Sequence, residues 1–212
     1  MGAPGQSWAI VIPVKRLDRA KTRLTVAAPL RRRLALAMAL DTLDAALRCE
    51  SVDTVIVVTD EPEVATVARD RGAVVVADEP DDGLNAALRH GAARAPGGAG
   101  VAAVAADLPA LRPDELDGLL RAAAAHPVSV VADAAGSGTT LYAAAGQAKF
   151  DPRFGPDSLA AHVTAGAVDL TPVAGVSLRT DVDTLDDLRA ASRHGVGAAT
   201  ASAVRELDRH VG

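Results

Sequence analysis

The stretch TVIVVT at residues 54–59 is the clearest strand in the sequence, a β-branched run too short for a helix and free of Gly and Pro. Working outward, WAIVIPV at residues 8–14 is a second short apolar run rich in β-branched residues, suited to a strand buried on both faces. Between the two, residues 15–29 are polar and basic and read as a loop. Residues 30–48 carry apolar side chains at helical spacing (Leu34, Met38, Leu40, Leu43, Leu47). Downstream, residues 62–71 read as a short helix opened by Pro62 and closed by Gly72, and residues 74–77 as a strand. A helix over 84–94 and a strand over 101–106 follow, the latter running straight into Asp107-Leu108-Pro109. Such alternation predicts an α/β fold with right-handed crossovers, a mostly parallel sheet and helices on both faces. Ligands of open sheets bind beyond the carboxyl ends of the strands, where residues 15–24 and 107–111 fall.

Past a helix at 113–125 the alternation loosens. Residues 129–132 and 140–145 read as strands separated by a turn containing Gly136 and Gly138, and helices are expected at 156–165, 184–194 and 198–209. There is no internal repeat and no linker-like stretch longer than residues 95–100, so the 212 residues read as a single domain spanning 1–212.

Composition narrows the function classes. Apolar residues make up 49% of the chain but only four residues are aromatic (Trp8, Tyr142, Phe150, Phe154), which disfavours the stacking platforms of single-stranded nucleic-acid binders. A net charge of -5 argues against a general polyanion binder. No apolar run approaches the ~20 residues of a membrane span, and the short lead before residue 8 lacks the features of a signal peptide. Cytoplasmic residence is expected, without membrane or nucleic-acid partners. The lone Cys49 reads as a small core residue. The five histidines, His210 among them, show no zinc spacing.

Four segments offer chemistry. Five basic residues (Lys15, Arg16, Arg19, Lys21, Arg23) fall within nine positions directly after a buried strand; they suit a triphosphate grip or, alternatively, a solvated loop. Asp107, at a strand's carboxyl end, is placed either to hold Mg²⁺ or to form its own turn. Asp181 and Asp183 alternate along an extended segment, so both carboxylates can converge on cations, although Asp183 equally suits the N-cap of the helix that follows. The run Phe154-Gly155-Pro156-Asp157-Ser158-Leu159 offers free N–H groups and a hydroxyl to an anion, or is plain helix initiation with Pro156 in the first turn. The turn at residues 136–140 offers a further hydroxyl or is a simple hairpin turn.

Taken together, Ile12-Pro-Val-Lys15-Arg-Leu17 with Ala20-Lys-Thr-Arg-Leu24, Leu84-Asn85, Asp107-Leu-Pro-Ala-Leu111, Gly138-Thr-Thr140, Arg153-Phe-Gly-Pro-Asp-Ser158 and Asp181-Val-Asp183 resemble, in the same order, one family. It is the phosphoenolpyruvate or 2-phospho-L-lactate guanylyltransferase family of coenzyme F-420 biosynthesis, and the resemblance covers nearly the whole chain. It implies a three-layer, nucleotide-diphospho-sugar transferase-like (GT-A) fold and transfer of GMP from GTP to phosphoenolpyruvate, with Mg²⁺ as cofactor and hand-over of the product to the next pathway enzyme. By the same resemblance, Thr140, Gly155 and Ser158 match positions that bind phosphoenolpyruvate. Asp107, Asp181 and Asp183 match metal-binding positions, Lys15, Lys21 and Arg23 would meet the triphosphate, and Asn85 would face the nucleotide. Ala106 stands where related nucleotidyltransferases often have Gly. Three alternatives stay open at this point: the same reaction on 2-phospho-L-lactate or 3-phosphoglycerate, a molybdopterin or sugar-phosphate nucleotidyltransferase, and a non-catalytic nucleotide-binding domain.

Overall fold

Strand β1 (Trp8–Pro13) runs through the middle of a seven-stranded mixed sheet of order β3-β2-β1-β4-β6-β5-β7. It pairs in parallel with β2 (Val52–Val58) on one side and β4 (Gly100–Val104) on the other, and β2 carries β3 (Val74–Val76) outside it. Beyond β4 the sheet turns antiparallel: β6 (Thr139–Ala144) runs against β4, and β5 (Val128–Ala132) runs against β6. A two-residue strand, β7 (Val168–Asp169), closes that edge parallel to β5. The computed structural model describes residues 6–211 apart from residues 19 and 80, without the side chains of residues 208, 210 and 211. The expectations placed on Arg19 and on residues 1–5 lie outside the described residues, as does the side chain of His210.

Because both faces of β1 are covered, its residues are apolar without alternation. Trp8, Ile10 and Ile12 point into a core shared with α1 (Ala28–Leu47), α2 (Pro62–Asp70) and α4 (Pro113–Ala123), through Ala39, Leu43, Val64 and Leu120. Ala9 and Val11 point to the opposite face, where they meet Ala87 and Leu88 of α3 (Leu84–Ala92). This is the three-layer arrangement expected. A Cβ at Gly91 would lie 2.6 Å from Val58 and 2.7 Å from Val11, so α3 approaches the sheet more closely than any side chain there permits.

Helix α1 is also buried on its outer side. Leu34 and Met38 pack against α6 (Leu185–His194) and α7 (Ala198–Val211) through Leu188 and Ala203. The buried Asp41 accepts from the backbone N–H of Ala199 at 3.0 Å and of Thr200 at 2.7 Å, capping α7 from a distant helix. Two expectations change near the site. Helix α5 (Ser158–Thr164) begins after Asp157, which adopts a left-handed φ of 52°, so Pro156 precedes the helix and is not in its first turn. Helix α6 is capped by Thr184, whose hydroxyl accepts from Asp187 N while the Asp187 carboxylate accepts from Thr184 N; Asp183 is therefore not the cap. Cys49 is buried, and burial pushes its thiol up to about 11, in keeping with a core role.

Candidate active site

After β1 the chain crosses to β2 on one side, while β4 lies on the other, so the carboxyl ends of β1 and β4 form a switch point where loops part and leave a crevice. A cleft of about 420 Å³ opens there, within the usual range for small-molecule sites. Lys15 and Lys21 line it from the β1 side and Asp107 from the β4 side.

The basic loop is tied down at both ends. Leu17 and Leu24 are buried, and the Leu17 N–H donates to the Glu61 carboxylate at 3.1 Å, which also pairs with Arg32 at 2.9 Å. Lys21 is held at a left-handed φ of 55°, a conformation side-chain-bearing residues rarely take, which turns its ammonium inward. The ammonium contacts Asp107 and lies 2.9 Å from Asp183; Arg23, largely exposed, also pairs with Asp183. Burial works against the Lys21 charge, but Asp107 and then Asp183 outweigh it and hold its pKa above the ordinary value. Lys15 is exposed at the mouth.

The acidic side is assembled from three elements. Asp107 sits in a turn clamped by Thr42 of α1, whose hydroxyl accepts from Leu108 N at 3.1 Å and lies 3.3 Å from the Ala106 carbonyl. The Asp107 carbonyl accepts from Val182 N at 3.1 Å, which ties the Asp181 to Asp183 segment to this turn. Val182 is fully buried while Asp181 and Asp183 both line the cleft, as alternation along an extended segment requires. Burial, followed by the neighbouring charges of Asp107 and Asp133, pushes Asp181 up to about 6. Asp133 is a fourth carboxylate on the wall that the sequence did not flag; it accepts from Ser137 N and Gly138 N and shapes the turn before β6.

The β6 and α5 side of the cleft carries hydroxyls. Thr139, Thr140 and Ser158 line the cleft beside Gly155, whose φ of 149° suits glycine. Ser158 and Thr140 are each 1% exposed. The Ser158 hydroxyl bonds Thr139 at 3.0 Å, whereas the Thr140 hydroxyl has no protein partner. Leu159 N donates to the Ser137 carbonyl at 3.1 Å, so α5 is stitched to the turn before β6 and this N–H is not free for a ligand. Asn85 does not line the cleft: its amide donates to the Phe154 carbonyl at 2.9 Å and its oxygen accepts from Phe154 N at 2.8 Å, so it holds the 154–155 loop in place.

The description "Guanylyl transferase CofC like" matches residues 8–212. The chain belongs to this guanylyl transferase family. It is 56% identical over 200 residues to the phosphoenolpyruvate guanylyltransferase of Thermomonospora curvata, covering 92% of this chain and 88% of that one. It is 52% identical to the enzyme of the same name from Streptomyces scabiei, over 94% of this chain and 97% of that one. Among solved structures it resembles a Desulfovibrio desulfuricans protein assigned to the nucleotide-diphospho-sugar transferases (TM-score 0.65, 17% identity, 95% of each chain). It also resembles a nucleotidyl transferase from Methanothermobacter thermautotroptrophicus (TM-score 0.61, 23% identity, 89% of this chain and 97% of that one). These two likenesses establish the nucleotide-diphospho-sugar transferase-like fold.

For a guanylyl transferase the question is whether the acidic wall suits a hard divalent cation. Its donors are all carboxylate oxygens, the type such ions prefer. One cation already bridges Asp107 and Asp183: the Lys21 ammonium stands in there. With Lys21 so placed, no three His, Cys, Asp or Glu side chains among the described residues converge as a ready-made metal cluster. The donor set therefore fits a cation on the condition that Lys21 leaves Asp107 and Asp183.

Proposed function

We propose that this guanylyl transferase moves GMP from GTP to phosphoenolpyruvate, yielding enolpyruvoyl-2-diphospho-5'-guanosine and pyrophosphate in coenzyme F-420 biosynthesis. The observation that carries the proposal is the polarity of the cleft. Asp107, Asp181 and Asp183 with Lys21 share the cleft with a group of hydroxyls, and the Thr140 hydroxyl there is buried without a partner. A buried polar group left unmet costs about 1–3 kcal/mol, which an anionic ligand oxygen at Thr140 would recover. The names of the relatives from Thermomonospora curvata and Streptomyces scabiei favour phosphoenolpyruvate over 2-phospho-L-lactate and 3-phosphoglycerate as the acid, and guanylyl transfer over a molybdopterin or sugar-phosphate reaction.

The acid's phosphate is ionised at neutral pH, so no general base is required. One of its oxygens attacks the α-phosphorus of GTP, the bond from that phosphorus to the oxygen bridging the β-phosphate breaks, and pyrophosphate leaves with the electron pair. The protein's task is alignment and charge compensation. Thr140, Ser158 and the Gly155 backbone hold the acid. Lys15, Lys21 and Arg23 meet the triphosphate, Lys21 exchanging its carboxylate partners for phosphate oxygens. Asp107, Asp181 and Asp183 would hold Mg²⁺, which when bound supplies Lewis-acid stabilisation of the charge developing at phosphorus. Asn85 contributes by keeping Phe154 and Gly155 at the acid's end of the cleft. The proposal places the enzyme in the cytoplasm, with hand-over of its product to the next pathway enzyme; among the described residues no helix is long and apolar enough to cross a membrane.

Position-labelled GTP tests the chemistry. With α-³²P label the radioactivity should move into the acid product, and with γ-³²P label it should appear in pyrophosphate. Label from the γ-position in the acid product would mean phosphoryl transfer and overturn the proposal.

A further inference from the structure

His162 lies directly behind the hydroxyl wall and takes no part in the chemistry above. It is 1% exposed, its ring stacked on Tyr142 with centroids 4.7 Å apart and met edge-on by Phe154 at 5.5 Å. Both ring nitrogens are engaged. The backbone N–H of Arg153 donates to Nε2 at 2.7 Å, and Nδ1 lies 3.2 Å from the Thr139 hydroxyl, which is itself 3.0 Å from that of Ser158.

The direction of this chain is set at its backbone end. A main-chain N–H can only donate, so Nε2 must present a lone pair and carries no proton. The neutral ring then bears its proton on Nδ1 and becomes a donor toward Thr139. Burial keeps the ring neutral, bringing its pKa down to about 4 against a smaller opposing pull from the Ser158 backbone.

The consequence is a proton count. Thr139 and Ser158 have two hydroxyl protons between them, and the bond joining their oxygens uses one. Were Nδ1 an acceptor, it would take the second and leave the pair with nothing to give. With Nδ1 already protonated, the second proton is free to point into the cleft that both residues line.

We propose that His162 is a positioning residue: by presenting Nδ1–H to Thr139 it makes the Thr139 and Ser158 hydroxyls a net donor to the anionic oxygens of the phosphorylated acid. The proposal rests on the acid site described under Proposed function, and it adds Thr139 to that site.

Long-range ¹H–¹⁵N correlation on histidine-labelled protein at pH 7.5 reads the tautomer directly, with the His162 signal identified by its loss in His162→Gln. Protonated Nδ1 with bare Nε2 is expected; the opposite tautomer or a doubly protonated ring overturns the proposal. In steady-state assays, His162→Gln can still reach Arg153 N–H but offers no donor where Nδ1 stood. It should raise KM for phosphoenolpyruvate about tenfold, the worth of one hydrogen bond to a charged group, with kcat and KM for GTP within about twofold of wild type. Thr139→Val should raise KM similarly, and the double variant no further, because His162 acts through Thr139. His162→Asn, which restores an amide donor near the Nδ1 position, should recover most of the loss. Multiplying effects in the double variant, or a fall in kcat alone, would overturn the role. Ser158→Ala separates the two levels: if it leaves KM for the acid unchanged, the acid site and the proposal with it fail. If it raises KM while His162→Gln does not, only the role of the histidine fails.

Discussion

Replacing Asp181 by Asn should stabilise the metal-free protein while abolishing turnover. The Asp181 carboxyl is pushed up from 3.8 to about 6, first by burial and then by Asp107 and Asp133. A folded-state value above the unfolded one means that the native state prefers the protonated form. Ionising Asp181 therefore costs stability, beginning as pH rises past 3.8 and reaching its full extent above about 6. Just over two pKa units correspond to about 3 kcal/mol. The side chain keeps part of its solvent contact, and screening reduces this to about 1–2 kcal/mol. For a chain of this size that is a rise in Tm of about 2–8 °C. Thermal unfolding at pH 8 in chelator should show Asp181→Asn melting above wild type, with the gap shrinking by roughly half at pH 5, where about half of the interval has been titrated. Added Mg²⁺ should raise the wild-type Tm and leave the variant nearly unmoved. A variant that melts below wild type at pH 8 in chelator, or that gains as much from Mg²⁺, would refute both the crowding argument and the role of Asp181 as a ligand.

Thr42→Val removes the hydroxyl that clamps the Asp107 turn and leaves the Leu108 N–H buried without its acceptor; denaturant unfolding should show a loss of about 1–3 kcal/mol, and kinetics a fall in kcat of about tenfold with KM for the acid little changed. Thr184→Ala opens the capping box beside Asp183, so stability should fall by about 0.5–2 kcal/mol and the Mg²⁺ concentration for half-maximal rate should rise; an unchanged Mg²⁺ titration would detach the cap from the metal site. Asp41→Ala strips two backbone N–H groups at the start of α7 of their carboxylate, which should lower stability by about 1–3 kcal/mol while folded enzyme assayed at 20 °C keeps its kcat.

The central strands were legible because β1 and residues 55–58 of β2 are unbroken apolar runs bounded by polar or loop-forming residues, a pattern that few other structures satisfy. Their neighbours were less so. The sequence pattern marks residues 140–145 as a strand but does not say that β6 lies against β4 in the opposite direction, since that pairing joins segments about 40 residues apart. Asp107 stands out by its place at a strand's carboxyl end and Asp181 by its alternation with Asp183 along an extended segment, and both line the cleft. The Asp183 position was ambiguous because Asp and Thr both cap well. The tie is broken three residues after Thr184, where the Asp187 carboxylate accepts from the Thr184 N–H, and this leaves Asp183 free for Lys21 and Arg23. Asn85, which the family resemblance sets toward the nucleotide, instead holds Phe154, 69 positions away. Thr42 and Asp41 lie within a helix, where sequence alone makes them ordinary polar positions. Only the packing of α1 against the Asp107 turn and α7 reveals what they hold.

The most direct measurement is pyrophosphate release by the purified protein with Mg²⁺ and GTP, comparing phosphoenolpyruvate, 2-phospho-L-lactate and 3-phosphoglycerate and replacing GTP by ATP in a control. Release with GTP and phosphoenolpyruvate, lost in Asp107→Ala, is the expected result; no release with phosphoenolpyruvate, or undiminished release from Asp107→Ala, would contradict guanylyl transfer to phosphoenolpyruvate at this cleft.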